Sequence, residues 1–245
     1  MKNNEQLFRA MRKNKLKLND TFAFNCLQCG NCCKNRNDIL LTAYDFFRAA
    51  KHLNLPPPQF FEKYCEAYVG DVSKTLVIRL KPKTVYNIML REPVPLGTVC
   101  PLLTSNGLCS IQDSKPVLCA SFPLGRFAKE GDKTTTYFLQ DLTCGDKSKS
   151  QTLKEWLEKF NLLDSDDVAL VWTEFLTYTV KLLQQADKLQ EKTKELIHTA
   201  YLNMIYLRYD ISKEFLPQLK ENIKAFKELM IPLGELLKSQ SEETL

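Results

Sequence analysis

The sequence predicts an α+β protein, with a small cysteine-rich domain of two helices and a few strands followed by a helical segment. Three observations carry this. All nine cysteines fall between residues 26 and 144, short β-rich stretches lie among them, and helical apolar periodicity dominates afterwards. At 245 residues the chain can bury a full core, as one large domain or two small ones. Its composition, 44% apolar and 26% charged, is that of an ordered globular chain. The boundaries expected from these shifts are a basic leader at 1–23, a cysteine-cluster domain at 24–145, a helical region at 146–238 and a polar tail at 239–245.

Residues 1–18 hold Lys2, Arg9, Arg12, Lys13, Lys15 and Lys17 against Glu5, the same +5 as the whole chain. A short helix is expected around Glu5 to Arg12. Thr42 to Leu55 reads as a helix, with Thr42 as N-cap and Asp45 completing an acidic capping box. Pro56-Pro57-Pro58 ends it, and Pro58 suits the first turn of a second helix running to about Val69. Leu76 to Leu80 is strand-like. Thr84 to Leu90 and Thr134 to Leu139 are β-rich and are expected to pair with it or with each other. Cys100 to Pro123, dense in Cys, Pro and Gly, reads as loops around a site. Thr152 caps a helix to Phe160, with Glu155 at its third position. Asp164 to Asp167 place negative charge at the head of a long helix. Its stripe of Val168, Val171, Trp172, Phe175, Leu176, Thr179, Leu182 and Leu183 has helical period. Helices are also expected over Glu191 to Arg208 and Ser212 to Lys227.

The densest chemistry is Cys26-Leu27-Gln28-Cys29-Gly30-Asn31-Cys32-Cys33. Two residues between Cys26 and Cys29 let both sulfurs point at one metal. Gly30 permits the tight turn in which backbone N–H groups face the sulfurs and offset their charge. Cys32 and Cys33 are adjacent, so the pair serves two metals, or one metal and one structural role. Cys100, Cys109, Cys119 and Cys144 follow. Together with Cys26, Cys29, Cys32 and Cys33 they make eight, enough for two four-sulfur zinc sites or for an iron–sulfur cluster plus a second metal. Cys65, on the apolar side of the expected second helix, reads as a buried small hydrophobe.

At these residues the chain resembles a known family. CLQCGNCC, then CPLLTSNGLCSIQDSKPVLCASFPLG, then a later cysteine are similar to the YkgJ-type cysteine-cluster proteins, described by a zinc- or iron-chelating CxxCxxCC domain. The likeness runs over about 24–145. It implies that Cys100, Cys109, Cys119 and Cys144 join the first four as ligands. Gln112 stands where the family often has an aromatic residue, and Lys115 and Ala120 stand where it often has arginine. The cluster is more distantly similar to that of flagellin lysine N-methylase, which uses S-adenosylmethionine.

Several function classes recede. The 8 glycines form no G-x-G-x-x-G or P-loop. His52 and His198 are the only histidines, which argues against an open hydrolytic zinc site. Net positive charge confined to residues 1–18 does not describe a nucleic-acid-binding face. With no apolar signal region and no membrane-span length of apolar sequence, the chain is expected in the cytoplasm, where thiols stay reduced. The first reading is a cytosolic metal-binding protein chelating zinc or an iron–sulfur centre. The alternatives are a methylase-like enzyme acting on protein lysine, and a metal-stabilised module whose helical half docks a protein partner.

Overall fold

Both expected capping boxes form. In the computed structural model, which describes residues 14–87, 94–128, 130–141, 144–163, 165–186 and 189–242, the Thr42 hydroxyl accepts from the Asp45 amide and the Asp45 carboxylate accepts from Thr42 N–H. Thr152 and Glu155 repeat the arrangement. These caps start the helices Ala43–His52 and Leu153–Lys159. Each satisfies two amides that an isolated helix end leaves unpaired.

The class is α+β. The described residues group into two compact units, one from residues 1–39 and 80–170 and one from 40–79 and 171–245. The helix Ser165–Ala186 runs from the first unit into the second.

The first unit is strand-rich. Lys15–Leu16, Thr136–Leu139 and Leu124–Phe127 form an antiparallel sheet with Thr136–Leu139 in the middle. Thr21–Asn25 pairs antiparallel with Asp146–Thr152, from Thr21 opposite Thr152 to Asn25 opposite Asp146. Lys83–Asn87 pairs with Val94–Val99. Phe22 and Phe24 point to one face of their strand and are buried. There Trp156 meets them edge-on, with ring centroids 5.9 and 5.5 Å away.

The second unit is mainly helical. It contains Ala43–His52, Pro57–Tyr64, Glu191–Leu202 and Phe215–Glu242. Cys65–Val69 pairs with Leu76–Leu80, whose last residue belongs to the first unit. Its core is aromatic: Phe46 packs on Phe60 and Tyr206, and Phe175 and Tyr201 stack and both meet Phe226 edge-on. A wider turn at Asn203–Leu207 follows Glu191–Leu202 and carries Tyr206, whose hydroxyl donates to the Leu41 carbonyl at 3.0 Å.

Several expectations change. The second helix stops at Tyr64, and Cys65–Val69 is a strand. Glu66 and Ala67 favour helix in isolation, but ladder bonds to Leu76–Leu80 and a 2.7 Å Arg79–Glu66 ion pair favour the sheet. The three β-rich stretches do not pair together; each finds another partner. Thr21–Asn25 overlaps the expected leader but is a strand, and its polar partner Asp146–Thr152 had no strand signal. The last helix reaches Glu242, past the start of the expected tail. The expected helix at Glu5 to Arg12 lies outside the described residues, as do 88–90 of the second β-rich stretch.

Truncation of Phe226, fully buried among Phe175 and Tyr201, should cost about 3–5 kcal/mol. Thr152→Ala, which removes one cap, should cost about 1 kcal/mol. Urea unfolding monitored by circular dichroism checks both, and a larger loss from Thr152→Ala would contradict this ranking.

Candidate metal centre

Eight cysteines line one cavity of about 60 Å³: Cys26, Cys29, Cys32, Cys33, Cys100, Cys109, Cys119 and Cys144. They come from four separate stretches of chain, and each stretch is held by an identifiable bond. Asn25 and Asp146 sit opposite one another in the ladder, so Cys26, just past one strand, comes near Cys144, just before the other. Gly145 makes that junction with φ +75°. A Cβ there would lie 2.4 Å from the Phe24 ring and 2.6 Å from the Asn25 carbonyl oxygen.

The first cluster turns sharply. Gln28 and Gly30 both have positive φ, and Asn31–Cys33 is a short 3-10 turn closed by Cys33 N–H donating to the Gly30 carbonyl at 2.9 Å. Cys100 N–H donates to the Cys33 carbonyl at 2.8 Å, and Asn35 N–H to Thr98 at 2.7 Å. These bonds fasten the cluster to the end of Val94–Val99. Beyond it, Leu103 and Cys109 form a bridge, and Thr104 and Leu108 close the turn between them. Cys119 rides on the helix Val117–Ser121. The Trp156 indole N–H donates to the Ser121 carbonyl at 3.3 Å and ties that helix to the aromatic core.

Cys26, Cys29 and Cys32 are exposed, Cys100 is buried and the others are half-buried, so the cavity opens at the surface. Ile39, Leu80 and Leu102, all buried, give it an apolar floor. The Cys32 and Cys33 sulfurs are 3.9 Å apart. The Cys32 thiol is pushed up first by its hydrogen bond with Cys33 and then by burial. Cys33 is pushed up to about 11, chiefly by its hydrogen bond to Cys100, and Cys100 is lowered by the same bond. Burial raises Cys109 and Cys144, and the neighbouring sulfurs Cys32, Cys29 and Cys26 raise Cys144 further. Lys115 lines the cavity, and its positive charge acts in the opposite direction on Cys32 and Cys109.

The thiols ring the space without converging. Among the described residues, no three His, Cys, Asp or Glu side chains stand close enough to hold an ion as they are. Thiolates repel one another, and only a cation gives them reason to close. The donor set does fit zinc or iron. Sulfur is the soft ligand both metals take, and a water-sized sphere needs about 10–15 Å³, so the cavity has room for ions or a small cluster.

Cys65 lies elsewhere. It is buried at the start of its strand, and burial pushes its thiol up. His198 sits in the second unit with Nε2 2.9 Å from the Lys74 carbonyl oxygen. His52 ends its helix. The apolar floor had no motif to announce it, whereas Lys115 stands at a position where the resembled family often has arginine.

Gly30 is where the first cluster and the 103–109 turn close on each other. A Cβ there would lie 2.8 Å from the Gly107 carbonyl oxygen, at φ +69°. Gly30→Ala should therefore destabilise the first unit and lower metal retention, whereas Gly107→Ala meets no atom within 4 Å and should be tolerated sterically apart from its own positive φ. Thermal unfolding and metal content of the two variants test this; equal behaviour would contradict the close approach.

The family described as "CxxCxxCC: Putative zinc- or iron-chelating domain" matches residues 25–145. No curated protein and no solved structure matches the chain. The match to the CxxCxxCC family covers the stretch that contributes every cysteine of the cavity.

Proposed function

We propose that this protein binds zinc or iron, the latter as an iron–sulfur centre, through Cys26, Cys29, Cys32, Cys33, Cys100, Cys109, Cys119 and Cys144. The observation that supports the reading is the sorting of the cysteines: eight line one cavity and Cys65 does not. Four distant stretches have no reason of packing alone to bring that many soft donors together. Bound metal would neutralise thiolates that otherwise repel, and would cross-link the stretches that carry them. The cavity volume of about 60 Å³ suits ions or a compact cluster and is far below that of a nucleotide-sized cofactor. Free thiols in this number belong in a reducing compartment, which favours the cytoplasm. Among the described residues no helix is long and apolar enough to cross a membrane.

Metal and acid-labile sulfide should be measured in protein purified without oxygen, with a visible spectrum alongside. Iron with sulfide and a brown colour identifies an iron–sulfur centre. Zinc with a colourless solution identifies a closed thiolate site. Protein that folds and holds neither refutes the reading. Cys29→Ser should lower metal content and stability, while Cys65→Ser should leave metal content unchanged.

Uptake should also depend on pH. With the Cys33 thiol near 11 and those of Cys109 and Cys144 raised, these three thiols keep their protons at neutral pH in the metal-free protein. Metal must displace those protons, so affinity should fall as pH falls. Titrating zinc into weakly buffered metal-free protein should acidify the solution, and no proton release would count against ligation by these thiols.

A further inference from the structure

A second cavity adjoins the first. Its volume is about 380 Å³, and it shares Cys26, Cys32, Cys119, Cys144 and Lys115 with the thiol-lined space. Small-molecule pockets start at about 300 Å³, and they combine apolar walls with a few placed polar groups. This one has both. One wall is aromatic, from Phe24, Phe122, Trp156 and Phe160. Those rings brace each other edge-to-face: Phe24 to Trp156 at 5.5 Å, Phe24 to Phe122 at 5.6 Å, Trp156 to Phe160 at 5.2 Å. Phe24, Trp156 and Phe160 are buried in the core, so the wall is fixed and does not fold into the space.

The charged groups of the lining are Arg36, Lys115 and Asp141. Arg36 is bonded through two of its nitrogens to Asp38, so its charge is largely answered. Asp141 is exposed, where water screens it. Lys115 is half-buried and sets its ammonium 5.7 Å over the centroid of the Phe160 ring. A cation beside a fixed aromatic wall favours a flat ligand that ends in an anion.

We propose that this cavity binds a small aromatic acid, its ring against Phe122, Trp156 and Phe160 and its carboxylate on Lys115. The shared cysteines then place that ligand at the edge of the metal centre. The inference rests on the proposed metal only for what the ligand adjoins; the binding itself needs the aromatic wall and Lys115.

The test titrates the full chain as purified, with its metal content measured, using naphthalene-2-carboxylate as probe and naphthalene-2-carboxamide as its uncharged match. Saturable one-site binding is expected, with the carboxylate tighter by about tenfold, the scale of one charge-assisted contact. Lys115→Met should abolish that difference and Lys115→Arg should keep it. If Lys115→Met does not fold, Lys115→Gln takes its place. In Trp172→Phe protein, Trp156 is the single tryptophan, and bound naphthoate should quench its emission. Absence of saturable binding, equal affinity for the two probes, a preference that survives Lys115→Met, or unquenched Trp156 emission overturns the inference. Metal without naphthoate binding defeats this inference alone, and naphthoate binding without metal defeats the metal reading alone.

Discussion

Two strands far apart in the chain, Thr21–Asn25 and Asp146–Thr152, bond to one another, and the cysteine cavity depends on that pairing. The register leaves Asn25 opposite Asp146, so the chain enters the first cysteine cluster beside the point where Cys144 leaves the last loop. Phe22 and Phe24 anchor the pair from one face by burying against Trp156. The same indole holds the helix of Cys119 by its N–H. One aromatic contact set therefore fixes the positions of three cysteine-bearing stretches, and the bond from Cys100 N–H to the Cys33 carbonyl fixes the fourth.

This division of labour has an electrostatic reason. The sulfurs give the protein little attraction of their own: the hydrogen bond with Cys33 and then burial raise Cys32, burial and neighbouring sulfurs raise Cys109 and Cys144, and Cys33 and Cys100 are tied by a hydrogen bond of their own. A scaffold that gathers them must be held by other forces, and here those are backbone hydrogen bonds and aromatic burial. Lys115 is the positive group that faces both cavities, where it eases thiolate formation on one side and borders the aromatic wall on the other. The second unit has its own means of support. Its rings Phe46, Phe60, Phe175, Tyr201 and Phe226 are fully or almost fully buried, and Tyr206 satisfies its hydroxyl on the Leu41 carbonyl, so this aromatic cluster strands no polar atom at that point.

The local signals in the sequence were strong wherever a few neighbouring residues decide the conformation. Thr42 with Asp45 and Thr152 with Glu155 announced two helix starts, and Leu76–Leu80 announced its strand, because capping and β-branched side chains act within a few residues. The dense spacing singled out Cys26, Cys29, Cys32 and Cys33, the family resemblance added Cys100, Cys109, Cys119 and Cys144, and these eight line the cavity while Cys65 does not. What stayed hidden was pairing. Asp146–Thr152 is Asp-Lys-Ser-Lys-Ser-Gln-Thr, with no apolar alternation, and is a strand only because Thr21–Asn25 supplies its ladder. Cys65–Val69 gave way from helix to strand for the same kind of reason.

By itself, then, the sequence determined an α+β chain, its capped helices and a dense set of thiols, since propensity, capping and cysteine spacing are local properties. Only the tertiary structure decided which strands pair, that segment 40–79 shares a unit with residues 171–245, and that Lys115 and an aromatic wall stand beside the thiols. Those outcomes depend on contacts between residues tens of positions apart, whose free energy appears only when the chain has closed and water has left the space between them.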